Sequence, residues 1–204
     1  MRINKKKFIY LISPNKIYPE FYHDLNQIFR AGKVALFQLR LKKYSLKQKI
    51  VIGKKIQQIC KKNNIKFIVN DDPILSKTLN ADGCHLGQKD MNIKNARKII
   101  GKKIIGVTCH NSIKLAKAAI KENADYIAFG AFFSTKTKKV IFKADIKILN
   151  KIKKLTKIPI VAIGGINFDN YKKLLLNNAN LLAISGYVWN NKKYKPFETI
   201  VKIK

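Results

Sequence analysis

The sequence predicts an α/β protein, a (β/α)8 or TIM barrel that forms one compact domain over residues 1–204. Short apolar runs of four or five residues recur eight times along the chain, and a longer segment with helical spacing follows each run. Eight successive strand–helix units are typical of a closed parallel barrel, and an open doubly wound sheet is the alternative. The length of 204 residues and the hydrophobic content of 47% suit one domain with a full core.

Eight strands are predicted from the apolar runs, each of which ends where polar residues or glycines begin. They cover Phe8–Ile12, Ala35–Leu39, Lys66–Val69, Gly83–Leu86, Ile104–Thr108, Tyr126–Phe129, Ile160–Ile163 and Leu181–Ile184. The helices predicted from apolar spacing cover Phe21–Ala31, Leu46–Lys62, Pro73–Leu79, Ile93–Ile100, Ser112–Asn123, Asp145–Leu155, Asn170–Asn177 and a segment within Pro196–Ile200. Asp72, Ser112 and Asp145 are predicted helix caps. Gly32 is predicted to end the first helix in the left-handed region.

The chain is strongly basic, with a formal net charge of +32 from 43 Lys+Arg against 11 Asp+Glu. The lysines are spread over the polar sides of the predicted helices, so we expect a solvated surface that attracts small anions and no specific nucleic-acid partner. No apolar run reaches the ~18 residues of a transmembrane helix, and the run after the basic start is too short for a signal peptide. We therefore expect a cytoplasmic protein without a membrane partner. An odd number of cysteines, without a Cys-x-x-Cys pair, argues against disulfides and zinc.

Polar side chains collect at the predicted carboxyl ends of the strands, where the active site of a parallel barrel lies. Gln38, Arg40 and Lys42 lie on one face of the second strand and its extension, because side chains alternate along a strand. Arginine and lysine suit phosphate oxygens. The alternative for Arg40 is a buried ion pair with Asp71.

Two aspartates, Asp71 and Asp90, follow the third and fourth strands in a chain that has few carboxylates. Mg²⁺ takes one or two carboxylates together with substrate phosphates, so the pair predicts a Mg²⁺ site. The alternative for Asp71 is a helix cap. After the fifth strand, Cys109 has no neighbouring base to activate it as a nucleophile. His110 is left open between a ligand, a proton carrier and a structural cap.

Hydroxyls, lysines and glycines follow the last three strands. Barrels often bind phosphate in the loops after strands 7 and 8, where glycine lets backbone N–H groups approach the oxygens. The tips therefore predict two anion sites, one for a Mg²⁺-bound diphosphate and one for a monophosphate. The first comprises Arg40, Lys42 and Lys138 with the two carboxylates, and the second comprises Gly165, Ser185 and the Thr135–Thr137 loop.

Six short motifs, taken together, closely resemble the thiamine phosphate synthase family. They are Gln38-x-Arg40-x-Lys42, Asn70-Asp71, His85-Leu86-Gly87-Gln88-x-Asp90, Gly106-Val107-Thr108-x-His110, Thr135-x-Thr137-Lys138 and Ala162-Ile163-Gly164-Gly165-Ile166. The motifs span nearly the whole chain in the right order. The resemblance implies a barrel transferase that joins a hydroxymethylpyrimidine diphosphate to a thiazole phosphate and releases thiamine phosphate and pyrophosphate.

The resemblance also implies a role for each matching residue. Asp71 and Asp90 would hold Mg²⁺. The pyrimidine diphosphate would be bound by Gln38, Leu39, Arg40, Leu41, Lys42, Asn70, Thr108 and Lys138, among which Arg40, Lys42, Thr108 and Lys138 are the expected catalytic residues. The thiazole phosphate would be bound by Thr135, Lys136, Thr137, Gly165, Ile184 and Ser185.

The chain departs from the family pattern at four positions. Thr108 replaces a usual Ser, Ser134 a common Pro, and Asn178 and Asn180 a usual Gly and Asp. Two other functions stay open. One is a thiazole tautomerase-like or regulatory barrel, which would lack the full set of residues that bind the diphosphate. The other is a basic nucleic-acid-binding protein. The sequence also leaves the oligomeric state open, a homo-oligomer included.

Overall fold

A computed structural model describes residues 7–135 and 142–203, whose strands pair in chain order around a closed barrel. The strands β1 to β8 are Ile9–Ile12, Val34–Leu39, Lys66–Asn70, Gly83–Leu86, Ile104–His110, Tyr126–Phe129, Ile160–Ile163 and Leu181–Ile184. All eight ladders are parallel. The predicted barrel is confirmed, and the open sheet is wrong because β8 pairs with β1, with Leu182 opposite Ile9.

Helices follow the strands and cover the outside of the barrel. In the described ranges, α1 to α9 are Phe21–Arg30, Leu46–Lys62, Pro73–Thr78, Ile93–Ile100, Ile113–Lys121, Lys147–Lys153, Tyr171–Leu176, Gly186–Trp189 and Pro196–Lys202. The caps Asp72 and Ser112 are confirmed, since each side chain accepts a backbone N–H of its helix. Gly32 has the predicted positive φ, +75°. None of these helices combines the length and the apolar character needed to span a bilayer.

Asp145, the predicted N-cap of the sixth helix, lies one residue before the observed N-cap. Ile146 is the N-cap of α6, and the Asp145 carboxylate accepts the N–H of Lys147 at 2.9 Å. The short helix α8 was not predicted, because the four residues Gly186–Trp189 are too few to show helical periodicity.

Strand β5 extends two residues past its predicted end, to His110, and contains a bulge. Thr108 pairs with Ala128 and His110 pairs with Phe129, so Cys109 is the extra residue. Thr108 and His110 both face the cavity at the end of the barrel, as ordinary alternation predicts, while Cys109 is buried against the helices.

The alternation of side chains along the strands creates two separate cores. The larger core lies between the barrel and its helices. The smaller core fills the barrel interior with Tyr10, Ile12, Leu36, Ile68, Tyr126, Ala128, Val161, Leu181 and Ala183. Gly106 makes room for the Tyr126 ring, because a Cβ atom at position 106 would overlap that ring.

Three helix-to-strand connections repeat one short pattern. They are Asn80-Ala81-Asp82, Asn123-Ala124-Asp125 and Asn178-Ala179-Asn180. The leading asparagine has a positive φ of 46°, 61° and 72°, respectively. The alanine N–H then donates to a carbonyl of the preceding helix, on Ser76, Ala119 and Leu174, respectively. Asparagine tolerates the left-handed region better than most residues, so Asn178 serves where glycine is usual.

The third residue of each connection ties two strands together at the amino end of the barrel. Asp125 donates its N–H to the Ile105 carbonyl at 2.7 Å and accepts the Ile105 N–H at 2.9 Å. Asn180 repeats this reciprocal pair on Ile160, at 2.8 and 2.9 Å. An amide oxygen thus does at position 180 what a carboxylate oxygen does at position 125.

We predict that Asp125→Ala lowers the free energy of unfolding by about 1.5–3 kcal/mol, because it leaves a strand N–H without its charged acceptor. Asp125→Asn keeps an acceptor and loses only the half-exposed ion pair with Arg97, at 3.0 Å, which costs about 0–1 kcal/mol. Urea unfolding measures both variants, with the exposed Glu122→Ala as the control. Equal losses in the two Asp125 variants would show that the strand tie contributes nothing.

Candidate active site at the carboxyl ends of the strands

A cavity of about 480 Å³ opens at the carboxyl ends of β1, β2 and β5 to β8. This is the end of the barrel at which parallel barrels carry their active sites. Six of the predicted site residues line the cavity: Arg40, Thr108, Thr135, Gly165, Ile184 and Ser185. The other described site residues lie on or after β2, β3 and β4 and do not line the cavity. Lys136, Thr137 and Lys138 lie outside the described residues.

The predicted alternation at the end of β2 is confirmed. Leu39 and Leu41 are buried against the helices, whereas Gln38 turns into the barrel and donates from Nε2 to the Tyr10 hydroxyl at 2.7 Å. Lys42 reaches across to β3, where its Nζ lies 3.0 Å from Asp71 Oδ2. The ion pair with Asp71 in the described part of the chain is therefore made by Lys42 and not by Arg40.

Arg40 points instead toward the cavity. Its backbone N–H donates to Ser13 Oγ at 2.8 Å, and its Nη1 donates to Asn15 Oδ1 at 3.3 Å. Burial lowers the pKa of Arg40, and the carboxylate of Asp71 opposes this effect. A half-buried guanidinium with one neutral side-chain acceptor has donors to spare, which suits an anionic ligand.

Asp71 and Asp90 bring two carboxylates together at the ends of β3 and β4. Burial raises the pKa of Asp71, but the hydrogen bonds with Lys42 and Asp90 outweigh it, and the net pKa lies below its usual value. The pKa of Asp90 is raised by burial and by the neighbouring Asp71, against the N–H of Gly87, which donates to Asp90 Oδ2 at 2.7 Å.

This pair of carboxylates fits a divalent cation. Two interacting carboxylates repel one another unless a cation or a proton lies between them. The described residues contain no group of three or more His, Cys, Asp or Glu side chains that could hold a metal. An ion at Asp71 and Asp90 would therefore complete its shell with other oxygens, and Mg²⁺ usually does so with water and substrate phosphates.

The loops after β6 and β7 form the opposite wall of the cavity. Gly164 and Gly165 have positive φ values of 102° and 63°. A Cβ atom at Gly165 would overlap the backbone of Phe133 and Ser134. The N–H of Phe133 also donates to the Gly164 carbonyl at 3.1 Å. The glycine pair thus allows close contact between the two loops and keeps Thr135 at the cavity wall.

Arg40 and Ser185 are linked through one residue, Ser13, at the end of β1. Ser13 Oγ accepts the Arg40 N–H at 2.8 Å, and the Ser13 carbonyl accepts from Ser185 Oγ at 3.3 Å. Arg40 was predicted in the diphosphate set and Ser185 in the monophosphate set. The structure therefore brings one residue from each predicted anion site to the same residue at the edge of the cavity.

A chain of hydrogen bonds crosses the barrel interior beneath the cavity. Beyond the Gln38–Tyr10 bond, the hydroxyls of Tyr10 and Tyr126 are 2.8 Å apart, and Tyr126 Oη lies 2.9 Å from His85 Nδ1. The second ring nitrogen of His85, Nε2, lies 2.8 Å from Thr108 Oγ1. Neither tyrosine was predicted from the sequence as a site residue, and His85 had no predicted role. Their signal was a polar residue at an inward-facing position of a short apolar strand.

Further cavity residues also went unassigned from the sequence. They are Asn167, Tyr187 and Asn190 on the loops after β7 and β8, and His110 and Phe142, whose rings lie 4.4 Å apart. The structure supports the view that Cys109 is no nucleophile, since burial raises the pKa of its thiol to about 12. The three cysteines are buried free thiols.

Comparisons with known proteins agree with this geometry. The family model described as thiamine monophosphate synthase matches residues 9–188. A thiamine-phosphate synthase of Pelagibacter ubique is 64% identical over the full length of both chains, and one of Erythrobacter litoralis is 41% identical over 89% of this chain and 88% of its own. The solved structure of thiamine phosphate pyrophosphorylase from Pyrococcus furiosus has a TM-score of 0.85 and 30% identity, and the match covers 98% of this chain and 94% of that one. These matches confirm the resemblance seen in the motifs, and the chain belongs to the thiamine monophosphate synthase family.

Proposed function

We propose that this chain is a thiamine-phosphate synthase, which joins a hydroxymethylpyrimidine diphosphate to a thiazole phosphate and releases thiamine phosphate and pyrophosphate. The observation that carries the proposal is that one residue from each of the two predicted anion sites is hydrogen-bonded to the same residue, Ser13. The two residues are Arg40 and Ser185. A condensation of two phosphorylated substrates needs such an arrangement, because each anion must be held while their reacting atoms meet.

In the proposed reaction, the bond between the pyrimidine methylene carbon and the diphosphate oxygen breaks, and its electron pair leaves with the diphosphate. The electron-rich aminopyrimidine stabilises the resulting cation, and the thiazole nitrogen then attacks the methylene carbon. Arg40 and Lys42 stabilise the negative charge that develops on the diphosphate, together with Lys138. No protein nucleophile is required.

Asp71 and Asp90 would hold Mg²⁺, which would neutralise charge on the diphosphate oxygens when bound. Lys42 has a second role in this arrangement, because its ion pair with Asp71 at 3.0 Å fixes the carboxylate before substrate arrives. On the other side of the cavity, Thr135, Gly165, Ile184 and Ser185 would bind the thiazole phosphate, together with Lys136 and Thr137. Gln38, Leu39, Leu41, Asn70 and Thr108 would complete the pyrimidine diphosphate site.

The experiment that tests the proposal mixes the purified protein with both substrates and Mg²⁺ and measures thiamine phosphate by chromatography. We expect thiamine phosphate and pyrophosphate in equal amounts. Isomerised thiazole phosphate without thiamine phosphate would favour the tautomerase-like alternative. Salt-resistant, specific binding of nucleic acid without synthesis would favour a nucleic-acid-binding protein, since non-specific binding by a basic surface falls steeply with salt.

We further propose that the chain functions as one domain in the cytoplasm. Closure of the barrel by the β1–β8 ladder supports one domain, because the first and last strands then belong to one sheet. The buried free thiols support a reducing compartment.

We predict that Asp71→Asn or Asp90→Asn lowers the rate of synthesis by about two orders of magnitude or more, because charge stabilisation by a metal is worth several kcal/mol. Steady-state rates at saturating Mg²⁺ measure the effect. Asp82→Asn is the matched control, since it removes one charge at the opposite end of the barrel and keeps an oxygen for the Phe67 N–H. Full activity of the double Asp71/Asp90 variant, or of the wild type in excess chelator, would contradict the metal assignment.

We predict that Lys138→Ala lowers the rate of synthesis about 10²–10³-fold, by analogy with the loss of a donor to a developing oxyanion. The affinity for thiazole phosphate alone, measured by calorimetry, should change little. Lys139→Ala is the matched control, because it removes the adjacent charge, which we expect to be solvated. If synthesis persists while thiazole phosphate affinity collapses, Lys138 serves the other anion.

A further inference from the structure

We propose that His85 is a positioning residue that directs the hydroxyl hydrogen of Thr108 into the cavity. His85 and Thr108 are the last two members of a row of hydrogen-bonded side chains in which every member donates to the next. This hydrogen-bonded chain comprises Gln38, Tyr10, Tyr126, His85 and Thr108, in that order. The inference rests on the proposed function, since it names the substrate contact that the chain prepares: an oxygen of the diphosphate substrate.

The first step is the direction of donation at Gln38. Its Nε2 carries hydrogens and no lone pair for accepting, so the Tyr10 oxygen accepts at 2.7 Å. The single O–H of Tyr10 is then left to donate to Tyr126, at 2.8 Å. Burial raises the pKa of Tyr10 and of Tyr126 well above the ordinary value, so each phenol keeps its one hydrogen.

The second step passes this direction through the histidine ring. The O–H of Tyr126 donates to His85 Nδ1 at 2.9 Å, which makes Nδ1 an acceptor and places the ring hydrogen on Nε2. That Nε2–H then donates to Thr108 Oγ1 at 2.8 Å. The ring cannot easily turn away, because it stacks on the Tyr126 ring at 5.6 Å with an interplanar angle of 18°.

The third step is the consequence at Thr108. Its oxygen is occupied as an acceptor, and in residues 7–135 and 142–203 its side chain has no hydrogen-bond partner besides His85. Thr108 lines the cavity, so its own hydroxyl hydrogen is available to an anionic oxygen there. If the chain ran in the opposite direction, that hydrogen would be used on His85 Nε2. Thr108 would then present only lone pairs to the diphosphate and repel it.

At the other end of the hydrogen-bonded chain, the direction of donation leaves the amide oxygen of Gln38 as an acceptor. With Nε2 donating to Tyr10, the oxygen of the Gln38 amide is the atom left for ligand, and no described donor pairs with it. Gln38 is only 3% exposed, so only a ligand group that enters the end of the barrel as far as β2 would reach this oxygen. It can accept from the amino group of an aminopyrimidine. One direction of hydrogen bonding therefore prepares an acceptor for the amino group and a donor for the diphosphate.

The direct test is the tautomer of His85 in the wild-type protein, measured by ¹⁵N NMR of the histidine rings. The protein contains three histidines, and single variants of His23 and His110 assign the remaining signals to His85. We expect the tautomer with hydrogen on Nε2 and a bare Nδ1. Hydrogen on Nδ1, or on both nitrogens, would overturn the proposal. This measurement needs no substrate, so it stands even if the protein makes no thiamine phosphate.

The functional test compares His85→Gln with His85→Leu. Glutamine can place an N–H near the position of Nε2, while leucine cannot donate. We expect His85→Leu to weaken use of the pyrimidine diphosphate, as kcat/KM, by about 10- to 100-fold, the size expected for a hydrogen bond to a charged group. The KM for thiazole phosphate should change less than about twofold, and His85→Gln should recover most of the loss.

A double-variant cycle separates positioning from a merely structural role. If His85 acts through the Thr108 hydroxyl, adding His85→Leu to Thr108→Val costs little further kcat/KM, because the hydroxyl is already absent. Urea unfolding of each variant, measured in parallel, shows which proteins remain folded at assay temperature. Fully additive losses in folded proteins, or equal effects on both substrates, would overturn the positioning role.

Discussion

The structure of the site depends on the hydrogen-bonded chain that crosses the barrel interior from Gln38 to Thr108. A polar group buried without a partner costs about 1–3 kcal/mol, so each of these side chains is held where the next one can reach it. The chain joins β2, β1, β6, β4 and β5. It thereby couples the filling of the barrel interior, for which Gly106 leaves room, to the orientation of groups at the cavity.

Charge is divided across the mouth of the barrel. The carboxylates of Asp71 and Asp90 and the ammonium of Lys42 lie on the β2–β4 side, and the glycine loop at Gly164–Gly165 lies on the opposite side. Arg40 lies between them, half-buried and close to the Ser13 link. The protein has 11 acidic residues against 43 basic ones, so a pair of interacting carboxylates at adjacent strand ends requires a specific purpose. Holding a cation is the purpose that its chemistry fits best.

The sequence predicted the barrel, the ends of the strands and six of the residues that line the cavity, because these features are local: an apolar run ends and a polar group follows. It did not predict contacts between distant positions. Tyr10 and Tyr126 are 116 residues apart, and nothing in either strand indicates that their hydroxyls meet. Nothing in the sequence indicates the bulge at Cys109, through which His110 pairs with Phe129. Asn180 looked like a departure, yet its amide oxygen makes the same strand tie as Asp125. The roles given to Lys136, Thr137 and Lys138 stay predictions.

The central claim is that the cavity holds two anions at once, and calorimetry tests it directly. Binding of thiazole phosphate is measured with and without a saturating, unreactive pyrimidine diphosphate analogue and Mg²⁺. Two adjoining sites predict that thiazole phosphate binds in both cases, with an affinity that is unchanged or higher when the analogue is present. Loss of thiazole phosphate binding in the presence of the analogue would show that the two ligands compete for a single site, and would contradict the account.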